Sequence, residues 1–291
     1  MKSFLSYTLC ISLIFCFLHS TVYAYAYHDA ASAILWDAEE DTALYCHNDT
    51  KRLPMASTTK IMTAIVALEQ ADPNSLVTIP SDAVGIEGSS CYLKAGEQLT
   101  LCSLLYALLL QSANDAAVAI AHYIAGSSEE FALLMNLKAA EIELNDTHFD
   151  NPHGLDSDTH YTTARDLARL ADYCMQNPTF CEIWSTPSIR LPISDTETST
   201  TSRYLYNHNR LLRSYPPCIG GKTGYTMRCG RCLVSAAELE GKTLIAVTLN
   251  CRNDWSAHVQ LYEYGFEITK QNEEISTWKR SVCKNISPTV D

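Results

Sequence analysis

The sequence predicts an α+β protein within the broad α/β class: one antiparallel sheet assembled from both ends of the chain and flanked by helices, with a helical lobe inserted between the two halves. Three observations predict it. Two short apolar runs near the start are joined by a polar link, as in a hairpin. From Ser57 to Gln176 the apolar residues recur mostly at helical spacing. The last third returns to strand-like runs and closes on one helical segment.

Taken in order, Ser32–Trp36 and Ala43–Cys46 are the hairpin strands, and Asp37 to Thr42 connects them. Pro54 breaks the chain before a helix expected from Ser57 to about Gln70, which stops ahead of Asp72-Pro73. Asp82 to Glu97, with three glycines and two adjacent serines, reads as loop around at most one short strand. Leu101, Leu104, Leu105, Leu108 and Leu109 mark a helix, interrupted at Gln111–Asp115 by residues that favour turns and caps. A second helix continues through Tyr123, and a third is expected from Glu129 to Leu144. Asn151-Pro152-His153-Gly154 is a turn, and Thr163 to Gln176 is a helix whose Thr163 and Asp166 stand in the positions of a capping box. Ser188–Leu191, Lys222–Thr226, Cys232–Ala237 and Leu244–Leu249 are strand-like, the last a continuous apolar run suited to a central strand. Trp255 to Gly265 is the closing helix.

The N-terminus carries a positively charged Lys2, an apolar stretch from Phe4 to Leu18, and small-residue cleavage patterns ending at Ala24 and Ala26. That is the layout of a signal peptide spanning residues 1–26, with an uncleaved N-terminal anchor as the alternative. The mature protein is then expected outside the cytoplasm, as one catalytic domain over 27–268 followed by a short polar tail over 269–291. A formal charge of −12 argues against a nucleic-acid binder, which needs clustered Lys and Arg, but still allows a local positive site for an anionic substrate. Removing the signal leaves ten of the twelve cysteines, an even number that permits disulfides whose pairing spacing cannot decide. No metal, cofactor or protein partner is implied.

Ser57 and Lys60 share a face at spacing i, i+3, within hydrogen-bond reach of each other. A serine hydroxyl needs a base to become a nucleophile. Lysine can be that base only where burial or nearby positive charge lowers its pKa. Two more motifs follow in order: Ser112-Ala113-Asn114 at a junction between helices, and Lys222-Thr223-Gly224 on a strand-like run. S-x-x-K, S-x-N and K-T-G in this order are the signature of penicillin-binding proteins and class A β-lactamases.

The flanking residues are similar to one branch of that group. Lys51–Ala64, Ser112–Ala117, Thr147–Leu155, Thr163–Ala168 and Gly221–Thr226 closely resemble the low-molecular-mass D-alanyl-D-alanine carboxypeptidases, the S11 peptidases, and the resemblance extends from about Ala31 to Phe266. It implies a β-lactamase/transpeptidase-like fold and a serine peptidase that trims the terminal D-alanine from peptidoglycan stem peptides and is acylated by β-lactams. By the same resemblance Ser57 is the nucleophile, Lys60 the general base and Ser112 a proton relay. Asn114 binds the substrate backbone, Lys222 and Thr223 hold its terminal carboxylate, and Gly224 lets it lie close. The backbone N–H groups of Ser57 and Tyr225 form the oxyanion hole. An arginine that grips the carboxylate in several relatives has one nearby candidate here, Arg252, which can equally be a solvent-facing residue. A class A-like β-lactamase and a non-catalytic penicillin-binding sensor are the alternatives.

Three patterns point elsewhere. Glu141-Ile142-Glu143-Leu144-Asn145 matches the E-x-x-L-N of class A β-lactamases, but it ends a helical run and is read as solvated. Cys229-Gly230-Arg231-Cys232 looks like a redox C-x-x-C, but it leads from strand to strand rather than into a helix, which favours a structural role. His148 and His153 lie near Asp150 and Asp156 without a third ligand at sensible spacing, so they are read as parts of a turn.

Overall fold

The computed structural model describes residues 29–195 and 199–286. The signal segment therefore lies outside the described residues. Five strands form one antiparallel sheet: β1 (Ala30–Asp37), β2 (Thr42–His47), β7 (Cys218–Thr226), β8 (Gly230–Leu239) and β9 (Lys242–Cys251), in the spatial order β2-β1-β9-β8-β7. The N-terminal hairpin thus pairs with the last strand, Ile34 opposite Val247 and Trp36 opposite Ile245. Two small hairpins stand apart from it, β3 (Leu76–Thr78) with β4 (Gln98–Thr100), and β5 (Ser188–Asp195) with β6 (Ser199–Tyr206).

Strand alternation sorts the sheet's side chains into two cores. Ile34, Trp36, Val234, Ile245 and Val247 join the main core, shared with the helical lobe. Leu35, Leu233, Leu244 and Ala246 join a second core with Leu261 and Tyr262 of the closing helix. Because β9 is covered on both faces, Leu244–Leu249 carries no polar face. The lobe is built around α1 (Lys60–Gln70), whose residues from Lys60 to Ala67 are all buried. Around it pack α2 (Leu101–Leu110), α3 (Asn114–Ala125), α4 (Ser128–Glu141), α5 (Ala164–Met175) and α6 (Pro178–Ser185). The Thr100, Ser127, Thr163 and Asn177 side chains each accept a backbone N–H as N-caps.

The structure differs from the sequence reading in several places. Ser57 sits on a 3₁₀ turn, Ala56–Thr59, and the α-helix begins only at Lys60. The third lobe helix ends at Glu141, because Glu143 takes a left-handed conformation (φ 57°). The box at Thr163 is only half closed: Thr163 accepts from Asp166 N–H, while Asp166 Oδ2 accepts from Asp146 N and Thr147 Oγ1. Helix α6, signalled by Asn177-Pro178, and strand β6, rich in Ser and Thr, were not foreseen. Finally, the closing helix α8 runs from Asp254 to Ile286, through what the sequence suggested was a polar tail. Gly265 does not end it. A Cβ there would lie 2.6 Å from both Leu244 Cδ1 and Leu35 Cδ2, so this glycine lets the helix approach the sheet. No helix among the described residues is long and apolar enough to cross a membrane.

One glycine fixes the junction between the lobe and the nucleophile turn. Gly154 has φ +88°, and a Cβ would stand 2.0 Å from the Ala56 carbonyl oxygen. Gly154→Ala combines backbone strain with a clash against main chain, so it is expected to cost about 3 kcal/mol or more. Urea unfolding of the variant checks this.

Candidate active site

A 3₁₀ turn has three residues per turn, so Lys60 stands directly above Ser57. Lys60 Nζ lies 2.9 Å from Ser57 Oγ. It is also 2.7 Å from Asn114 Oδ1 and 2.5 Å from the His153 carbonyl oxygen, and the lysine has no exposed surface. Burial, helped by the charge of Lys222 and opposed by Asp115, holds its pKa well below the ordinary lysine value. A lysine so placed is a competent proton acceptor for its neighbouring hydroxyl. The turn itself is strained: Ala56, just before Ser57, has φ +47°.

Ser112 has φ +60° in the gap between α2 and α3, so it too is a non-glycine residue held in the left-handed region. Its hydroxyl accepts from Lys222 Nζ at 2.9 Å, and that amine also donates to the Thr223 carbonyl at 2.9 Å. Lys222 is buried, which lowers its pKa to about 7. Asn114, the first residue of α3, has its backbone N–H on the Ser89 carbonyl at 2.7 Å, and its side-chain amide donates to Glu87 O. Asp115 next to it accepts from Ser90 Oγ and from the backbone N–H groups of Cys91 and Leu93, tying the 87–93 loop beside the site.

β7 is an edge strand, paired on one side with β8 and open on the other. It offers free backbone donors and acceptors to an extended chain. Gly224 brings it against the nucleophile turn: a Cβ there would be 3.1 Å from Ser57 N and 3.0 Å from the Met55 carbonyl. The cleft along this edge encloses about 490 Å³ and is lined by Ser57, Ser112, Thr223, Gly224 and Tyr225 among others. The three sequence motifs thus meet in one place.

Arg252 does not join them. It is exposed just after β9 and is not among the residues lining the cleft. Three other arginines line it instead, Arg210, Arg213 and Arg231. Arg231 is held by Asp254 through two hydrogen bonds of 3.0 Å. Arg210 and Arg213 are exposed, and the Arg210 charge also acts on the Asp254 carboxylate that Arg231 holds. Neither stands out in the sequence, because the segment between β6 and β7 has no periodic pattern. Its only signal was a local pair of cations in an acidic protein.

Glu141 and His148 fall away from the cleft. Glu141 sits on the outer face of α4, bonded to Lys138 Nζ at 2.7 Å. His148 is on the surface beside Asp150 at 3.2 Å. His153 reaches the site through its main-chain carbonyl, and burial lowers its ring pKa to about 3. His160, also unforeseen, supports the turn, its Nε2 lying 2.7 Å from Thr59 Oγ1.

The family model for D-alanyl-D-alanine carboxypeptidases, peptidase S11, matches residues 20–253. The chain is 34% identical over 259 residues to D-alanyl-D-alanine carboxypeptidase DacF of Bacillus subtilis, covering 87% of this chain and 66% of that protein. It is 33% identical to DacB2 of Mycobacterium tuberculosis and 37% identical to the enzyme of Streptomyces sp. K15, covering 83% and 78% of this chain and 84% of each relative. Among solved structures, the Streptomyces K15 DD-transpeptidase superposes with a TM-score of 0.78 at 32% identity, over 82% of this chain and 97% of that one. A D-alanyl-D-alanine carboxypeptidase from Mycobacterium tuberculosis gives 0.77 at 32% identity, over 82% and 91%.

Proposed function

The chain belongs to the D-alanyl-D-alanine carboxypeptidase family, peptidase S11, and from that premise we propose that it is a serine DD-peptidase removing the terminal D-alanine of peptidoglycan stem peptides. The observation that carries the reading is the buried Lys60 amine 2.9 Å from Ser57 Oγ. Ser57 attacks the carbonyl of the penultimate D-alanine while neutral Lys60 takes its proton. The developing oxyanion is held by the N–H groups of Ser57 and Tyr225, each donor being worth about 3 kcal/mol in such sites. Ser112, poised by Lys222, relays the proton that Lys60 took to the departing D-alanine nitrogen, which leaves Lys60 neutral again. Water then attacks the acyl-enzyme, with Lys60 again accepting the proton. Lys222 and Thr223 hold the terminal carboxylate, Asn114 orients the substrate amide, and β7 receives the peptide as an added strand. β-Lactams enter the same cleft as covalent inhibitors on Ser57. The protein works outside the cytoplasm, where its substrate lies.

Incubation with a peptide ending in D-Ala-D-Ala is expected to release D-alanine from the wild type and none from Ser57→Ala. Absence of release from the wild type, or release surviving in Ser57→Ala, refutes the proposal. The β-lactamase alternative needs Glu141 as deacylating base, and the side chain's place on the outer face of α4 argues against that role. Glu141→Ala is therefore expected to leave the lifetime of the penicillin adduct unchanged, as followed by intact-protein mass.

Arg210 and Arg213, which line the cleft, take the part for which Arg252 is only a candidate by resemblance. Arg210→Ala is expected to raise KM for a peptide with a free terminal carboxylate about tenfold, roughly the loss of one charge-assisted hydrogen bond. The same variant should not alter binding of the C-terminal amide, and steady-state kinetics on the two peptides separates the cases.

A further inference from the structure

The Cys229–Cys232 pair lies against the segment that leads into the nucleophile. The two sulfurs are 3.1 Å apart, and both residues are buried. Cys229 closes the turn between β7 and β8, and Cys232 stands directly opposite Gly224 in the ladder. Cys229 Sγ also donates to the Pro54 carbonyl at 2.9 Å. That contact belongs to a set. Thr58 Oγ1 donates to the Met55 carbonyl at 2.7 Å, and Thr59 Oγ1 to the Ala56 carbonyl at 2.8 Å. Together the three bonds hold consecutive carbonyls of a turn whose Ala56 sits at φ +47°. Only the Cys229 bond comes from the sheet, so it ties the oxyanion strand to the nucleophile turn.

We propose that Cys229 and Cys232 form a reversible intrachain disulfide, and that closing it withdraws this hydrogen bond from the Ser57 turn and slows acylation. The co-reactant is a small-molecule or protein disulfide. The thiolate of one cysteine attacks a sulfur of that disulfide and expels one thiol, and the second cysteine then displaces the other thiol. The two cysteines lose two electrons, the donor disulfide is reduced to two thiols, and these carry off both protons. A disulfide sulfur has no S–H, so the Pro54 carbonyl loses its donor. The contact with Cys232, and then burial, raises the Cys229 pKa, which keeps the folded thiol protonated and donating. Exchange therefore proceeds when the turn opens or while the chain folds, and the bridge registers the redox conditions of folding.

The test uses the full mature chain, refolded either in reduced and oxidised glutathione or in dithiothreitol. Alkylation under denaturing conditions followed by peptide mass analysis is expected to show a 229–232 peptide lighter by two hydrogens from the glutathione refold only. Cys229 and Cys232 both alkylated, or each carrying glutathione, in that sample overturns the bridge. Acylation of Ser57 by a fluorescent penicillin is expected to be about fivefold slower in the oxidised form, the effect of one lost neutral hydrogen bond. Cys232→Ala should be fast in both buffers, and Cys229→Ala slow in both. Equal rates for oxidised and reduced wild type overturn the link to the Ser57 turn. The rate assay rests on the proposed activity, whereas the peptide masses do not. A reduced wild type that takes no penicillin refutes the activity alone.

Discussion

Lys60→Met is expected to lower the rate of Ser57 acylation by about a thousandfold, within the range that a lost general base produces. Methionine fills a similar volume and carries no proton-accepting nitrogen, so the pocket keeps its packing while the base disappears. Three polar atoms lose a partner: Ser57 Oγ, which still faces the cleft, and the more enclosed Asn114 Oδ1 and His153 carbonyl, the last two at a cost of about 1–3 kcal/mol each. Removing an amine that is costly to charge in the interior offsets part of this, so the variant should fold. Stopped-flow acylation with a chromogenic β-lactam measures the rate, and circular dichroism checks the fold. Acylation within tenfold of the wild type would sink the assignment of Lys60 as base.

Lys222→Met acts on two things at once. The variant loses its grip on the substrate carboxylate, and Lys60 loses the neighbouring charge that helps to keep it neutral. The first effect is expected to lower kcat/KM by about a hundredfold, in line with removal of a buried charged contact. The second should move the acid limb of the pH–rate profile. Activity requires neutral Lys60, so it rises with pH through the Lys60 pKa, and raising that pKa shifts the limb to higher pH. Stability shifts the opposite way. The folded Lys222 has a pKa near 7 against 10.5 for a free lysine, so the unfolded chain binds more protons between those values. Wild-type stability therefore gains from this group as pH rises through that window, and below pH 7 the whole penalty is present. Lys222→Met should be stabilised over the wild type most at pH 6, and progressively less toward pH 10. Urea titrations at the two ends decide it.

Much of this site was legible because its parts are short motifs with fixed local geometry. The i, i+3 spacing of Ser57 and Lys60 survives the change from helix to 3₁₀ turn, since both bring the side chains to one face. The hairpin, the lobe helices other than α6 and the apolar β9 were legible for the same local reason: periodicity records which faces are covered. What stayed hidden depends on contacts between distant segments. Arg210 and Arg213 became visible only when the fold set α7 (Leu211–Ser214) beside β7. Gly265 reads as a helix stop in sequence but is a close contact with Leu35 and Leu244 in space. β6 hid because its Ser and Thr residues carry no apolar alternation.

The pairing of β1 with β9 has a consequence for how the protein comes to life. The nucleophile Ser57, its base Lys60 and the Asn114 that binds the base are all present once the first part of the chain has been made. The oxyanion strand and the strand that anchors the N-terminal hairpin arrive more than a hundred residues later. Loop closure over such a separation is slow compared with local helix formation. A nascent chain would therefore pass through a long interval with its helices formed and its chemistry switched off. Covalent labelling by penicillin would then be a clock for folding: it starts only when the two ends of the polypeptide have met.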